Sequence, residues 1–138
     1  MAMEITNAEE YRESLDALLR RQANQPVELL VVDDITEWCA ARQGNGSGNP
    51  VAMAVVDGQT GRWGILLRRR IGADQIASVL SRIEYGGFER THETLNPPTK
   101  FLEHTVLHEL AHLQNRWNQD KEEDCDRWAF ERMELNAV

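Results

Sequence analysis

Cysteine is scarce in this chain, with only Cys39 and Cys125 in 138 residues. That excludes a disulfide-framed scaffold and suits a reducing compartment, so a cytoplasmic location is expected. Basic residues are outnumbered: 15 Lys and Arg stand against 23 Asp and Glu, for a net charge of −8. Binding a phosphate backbone needs a basic face, so no nucleic-acid partner is expected. No apolar run approaches the ~20 residues of a membrane span, and no membrane partner is expected. Met1 to Glu13 is polar and acidic, without the basic-then-apolar order of a signal peptide. No internal repeat recurs, which excludes a solenoid.

What remains is ample for one core. The chain is 41% apolar and carries four Trp. This length predicts a single domain, residues 1–138. Tyr11, Leu15, Leu18 and Leu19 recur at helical spacing, predicting a first helix over 7–22 capped by Thr6 or Asn7. Val27 to Asp33 is β-branched and apolar on both faces, which predicts a central strand. A short helix bearing Trp38 is expected over 34–43, then a glycine-rich loop over 44–50. Val51–Asp57 and Arg62–Arg68 flank Gly58-Gln-Thr-Gly61 and read as a β-hairpin. Asp74 is expected to cap a helix with Ile76, Val79, Leu80 and Ile83 on one face, stopped by Gly86-Gly87. Residues 88–94 fit either a short strand or a loop. Asn96-Pro97-Pro98 starts a helix running to about Trp117. Asp120 and Glu123 have capping-box spacing, so a last helix is expected from Lys121 to about Leu135. The class is α+β: a small sheet of about three strands packed with a late helical pair.

The late pair carries the chemistry. His108-Glu109-Leu110-Ala111-His112 places two imidazoles at i and i+4, one above the other on a helix and within reach of one metal ion. Glu109 projects near the same ion and can take a proton from a water that the ion polarises. By composition, a chance match to this pattern is on the order of 0.01, so the motif is specific. At ~100° per residue, Leu102, Val106, Leu110, Leu113 and Trp117 form the core stripe. His108 and His112 fall opposite it, with Phe101 and Thr105. They therefore face solvent or a second layer of protein.

One protein ligand is still missing, since zinc takes N, O or S donors in a tetrahedron and a catalytic site keeps one position open. Glu122 to Asp126 follows His112 after nine intervening residues, past a break that turns the chain back. Cys125, Trp128, Ala129 and Met133 form the apolar face of the last helix. Glu122 and Asp126 line one edge of that face. Glu122 is the chosen third ligand, and Asp126 is placed to accept the other ring N–H of a liganding histidine. Glu123, Asp126, Cys125 and His104 are the alternatives for the third ligand.

His108-Glu-Leu-Ala-His112 followed by Glu122-x-x-Cys-Asp126-x-Trp-Ala129 resembles the gluzincin metallopeptidases. The close spacing is most similar to the minigluzincins and the ImmA/IrrE-like peptidases. The likeness covers residues 99–131, and Cys125 stands where Ala is usual. It implies one zinc ion, a small sheet above an active-site helix, and a glutamate helix behind it in a zincin-like domain. His108, His112 and Glu122 would then be ligands, Glu109 the general base and Asp126 the acid behind a ligand. The expected activity is zinc-dependent hydrolysis of a peptide or protein substrate. The alternative is a zinc-stabilised regulatory or binding module without significant turnover.

His104 lies one turn before His108 and is expected at the polar lip of the site, where it can meet a substrate carbonyl or oxyanion. Cys125, on the apolar face, is expected to be a small buried residue. Arg68-Arg69-Arg70 reads as a solvated strand end. The strand 63–67 is a candidate sheet edge for pairing with an extended peptide.

Overall fold

The computed structural model describes residues 3–41 and 50–137. The chain opens with a 3-10 turn, Ala8–Tyr11, in which the Asn7 side chain accepts a hydrogen bond from Glu9 N. Helix α1 (Arg12–Gln22) follows and buries Leu15, Leu18 and Leu19. Strand β1 (Val27–Val32) leads to helix α2 (Ile35–Ala41), whose first turn is capped by the Asp34 carboxylate on Glu37 N. The loop expected over 44–50 lies outside the described residues except at Pro50, as does the predicted extension of α2 to Gln43. Strands β2 (Ala52–Val56) and β3 (Trp63–Arg68) form the expected antiparallel hairpin. Its turn is held by Asp57, whose side chain accepts from Gln59 N and Thr60 N, and by Gly61 at φ +73°.

The sheet is mixed and three-stranded, in the order β1-β3-β2, with β1 parallel to β3. Two expectations change here. The first strand, read as central, lies at an edge. Its apolar residues face both ways because both faces are covered: Leu29 joins the main core, while Leu30 and Val32 pack with Ile35, Cys39 and Leu66 under α2. The centre is β3, with Gly64 to Leu67 all buried. A strand paired on both sides has no edge left for a peptide, so the candidate edge over 63–67 is withdrawn.

Helix α3 (Ala73–Tyr85) is capped at Gly72 rather than Asp74, with the Gln75 side chain accepting from Gly72 N. It stops at the expected pair, with Gly87 at φ +113°. Residues 88–94, whose sequence fits either a strand or a loop, contain instead a single helical turn, α4 (Thr91–Thr94). Helix α5 (Pro98–Gln114) then crosses the molecule. It ends before Trp117 because Arg116 adopts the left-handed conformation, φ +55°. Trp117 N reaches back to His112 O, closing the helix end in a Schellman arrangement. A second 3-10 turn, Gln119–Lys121, starts at Asn118 rather than at a capping box on Asp120. It leads into helix α6 (Glu122–Ala137).

Helix α5 is the central element. It packs against α6, α1, β2 and β3. Its leucine stripe enters the main core with α1 and β3, and its opposite side is also buried, including Phe101, His104, Thr105 and His108. Of the two surroundings expected for these histidines, solvent or a second layer of protein, His108 has the second, with α6 over it, while His112 is only partly buried. Among the described residues, no helix is long and apolar enough to cross a membrane.

Candidate metal centre

A cleft of about 1190 Å³ opens over the C-terminal half of α5. One wall is β2, from Ala52 to Ala54. The other is the polar side of α3, including Ser78 and Arg82. The floor is His108, Glu109 and His112, and Glu122 closes one end.

The two imidazoles turn toward one carboxylate. His108 Nε2 is 2.7 Å from Glu122 Oε2, and His112 Nε2 is 3.1 Å from Glu122 Oε1. The far nitrogen of each ring is also fixed. His108 Nδ1 donates to Asp126 Oδ1 at 2.7 Å, and His112 Nδ1 donates to Trp117 O at 2.8 Å. Each ring is thus locked in orientation with Nε2 directed into the cleft, the arrangement that metal-binding histidines need. The Trp117 carbonyl owes its position to the left-handed turn at Arg116 immediately before it.

Glu109 lies beside the pair. Its Oε1 accepts from Ala54 N at 3.0 Å, which ties it to the backbone of β2. Its Oε2 stands 3.8 Å from His108 Nε2. Burial pushes its carboxyl above the usual range, the facing His108 and His112 pull it back, and Glu122 adds to the rise. A carboxyl poised upward in this way suits proton transfer in both directions.

Asp126 is buried at 1% exposure and fully engaged. Its Oδ1 accepts from His108 and from His104 Nε2 at 3.1 Å, and its Oδ2 accepts from Arg82 at 3.0 Å. Burial alone would raise its carboxyl, but these donors hold it well below the ordinary range. His104 therefore departs from expectation. It is 2% exposed, its ring lies 4.4 Å from that of Phe130, and it sits behind the site rather than at its lip. A wheel of α5 alone could not show this, because the roof over His104 comes from α6. Among the described residues its buried Nδ1 has no hydrogen-bond partner.

Three contributors had no signal in the sequence. Ala54 and Trp117 act through their backbones, which no side-chain pattern reveals. Arg82 stands 44 residues from Asp126 and is 44% exposed, at the rim of the apolar stripe of α3. It reaches the site because the end of α3 rests on the start of α6, where a Cβ built on Gly86 would lie 3.3 Å from Glu123 Cγ. Arg82 also lies 3.8 Å from Glu122 Oε2.

Two groups of side chains have donor atoms within 4.8 Å of one another: His108, His112 and Cys125, and His104, His108 and Asp126. This corner of the protein can therefore hold a metal ion. Glu122 touches both rings at hydrogen-bond spacing. Donors around a tetrahedral zinc with bonds of about 2.0–2.2 Å stand roughly 3.3 Å apart. Glu122 belongs to neither group, and at 2.7 and 3.1 Å from the two rings its carboxylate, 31% exposed, would have to move outward to share an ion with them. The donor set, two imidazoles and a carboxylate with cysteine sulfur nearby, matches zinc chemistry. No family model, curated protein or solved structure matches the chain.

The carboxylates also set the protonation of the rings. Burial opposes charge on His108, but Asp126, Glu122 and Glu109 outweigh it and raise its pKa to about 10. The Cys125 thiol and Glu122 raise His112 to about 11. Burial works against the Glu122 anion, yet the two imidazoles bring its pKa down to about 2. Raised histidine values contribute stability fully present below the unfolded value near 6.5 and lost as pH climbs through about 10 and 11. The lowered Glu122 value contributes stability present above about 4.5 and lost as pH falls toward 2. Chelator-treated protein is therefore expected to lose stability steadily as pH rises above about 6.5. Thermal unfolding from pH 4 to 10 measures this. A melting temperature that is flat or rising above pH 6.5 would contradict the paired-ring geometry.

Proposed function

We propose that this chain is a zinc-dependent metallopeptidase of zincin-like architecture, acting on a peptide or protein substrate. The observation that carries the reading is the convergence of His108 Nε2 and His112 Nε2 on the Glu122 carboxylate, with the Glu109 carboxylate alongside at the floor of an open cleft. A purely structural ion has no use for a base at that place. The resemblance of residues 99–131 to gluzincin peptidases supports the same assignment.

In this reading His108, His112 and Glu122 hold the ion, and Asp126 and the Trp117 carbonyl keep the two rings aimed. When bound, zinc supplies Lewis acidity, bringing the pKa of a water toward about 7 and drawing charge from a peptide carbonyl. Glu109 accepts the proton of the attacking water on its Oε2 side, since Oε1 is held by Ala54 N. It then delivers that proton to the leaving amine. Strand β2 is paired only to β3 among the described residues and lines the cleft, so its outer edge on either side of Ala54, whose N–H is taken by Glu109, is the place for an extended peptide.

Digestion of a complex peptide mixture tests the activity. Zinc-loaded protein is expected to generate new peptide ends, and a chelator is expected to suppress them. An absence of chelator-sensitive cleavage would contradict the peptidase and favour the zinc-stabilised binding module.

A further inference from the structure

Holding Asp126 occupies only one nitrogen of Arg82. Its Nη1 is 3.0 Å from Asp126 Oδ2 and 3.8 Å from Glu122 Oε2. Among the described residues, Nε and Nη2 make no hydrogen bond to the protein, and neither is a buried atom left without a partner. These two nitrogens form the edge of the guanidinium that can meet a carboxylate with two parallel N–H bonds. The side chain is half-exposed and lines the cleft. It is the one Lys or Arg among the described residues that do so, while the acids there are Asp74, Glu109 and Glu122. A chain of net charge −8 repels acidic peptides in general, so a fixed cation inside the cleft is a point of selection. Its anchor is rigid, because Asp126 is buried and also bonded to two histidines. The guanidinium is thus oriented before any ligand arrives.

We propose that Arg82 is a substrate-binding residue whose free edge takes a carboxylate of the peptide, either its C-terminal group or the side chain of an Asp or Glu. The inference rests on the peptide-substrate reading above and adds a charge requirement to it. The guanidinium borders Glu122, a metal ligand in that reading, and an extended residue spans about 3.3 Å. The carboxylate therefore belongs to a residue within about two positions of the reacting carbonyl.

Calorimetric titration of the zinc-loaded full chain carrying Glu109→Gln tests the proposal, since that chain holds a peptide without cutting it. The probes are acetylated eight-residue Ala/Ser peptides: one with a free C-terminus, its C-terminal amide, and amides bearing a single Glu or Gln at each position in turn. The free acid, or Glu at one or two adjacent positions, is expected to bind at least about tenfold more tightly than its neutral counterpart. A preference confined to the free acid identifies the C-terminal carboxylate, and one confined to Glu identifies a side chain. Adding Arg82→Gln is expected to abolish the preference, and adding Arg82→Lys to keep part of it, as a point charge without the fork. Equal binding of acidic and neutral peptides would overturn the proposal and leave the peptidase reading standing. So would a preference that survives Arg82→Gln, the result expected of a carboxylate bound to the metal itself. Binding of none of the peptides would overturn both. An Arg82-dependent preference in a chain without chelator-sensitive cleavage would sustain this proposal and overturn the peptidase. Should Arg82→Gln fail to fold, the drop in preference from arginine to lysine decides the same question.

Discussion

Glu109→Gln is expected to reduce peptide turnover by about 10²–10⁴-fold while zinc content stays unchanged. That loss corresponds to about 2.7–5.4 kcal/mol of barrier. The amide matches the carboxylate in size and can keep the hydrogen bond from Ala54 N through its oxygen, so the link between α5 and β2 survives. What it cannot do is accept a proton from water and return one to an amine. The variant therefore separates holding the ion from using it. Comparable cleavage by wild type and variant, each at one zinc per chain, would remove Glu109 from the reaction.

Asp126→Ala is expected to destabilise the fold by about 3–5 kcal/mol, the range for breaking a buried ionic cluster by removing one member. Three donors lose their acceptor together: His108 Nδ1, His104 Nε2 and Arg82 Nη1. Both imidazoles are buried, so water cannot readily replace the carboxylate. Arg82 is half-exposed and recovers much of its solvation, which places the cost mainly on the histidines. Asp126→Asn should be milder, since its carbonyl oxygen in the place of Oδ1 still accepts from both histidines and only the Arg82 bond is lost. Denaturant unfolding of the three proteins measures the difference. A loss below about 1 kcal/mol in the alanine variant would show that the cluster does not hold α5 and α6 together.

The site was more legible in the sequence than the sheet around it. His108, Glu109 and His112 are local on one helix, so their spacing alone sets them on one side of it. Glu122 and Asp126 followed from a second helix folding back on the first. Helix α3 and the hairpin were equally readable, because apolar spacing and glycine turns are local signals. Strand order was not. The apolar faces of β1 reflect cover from α1 and α2, and nothing within Val27–Val32 distinguishes an edge covered on both faces from a centre. His104 was misplaced for a related reason. On α5 it stands on the polar side, and only the roof formed by Asp126 and Phe130 buries it. Arg82 depends on a contact between α3 and α6 that no spacing encodes.

The central claim is that His108, His112 and Glu122 hold one divalent cation, and calorimetric titration of dialysed, chelator-treated protein with zinc tests it most directly. Wild type is expected to bind one zinc per chain, and Glu122→Ala to bind it more than about 100-fold more weakly, beyond the cost of losing an outer partner. No zinc uptake by wild type, or equal affinity in the two proteins, would contradict the account.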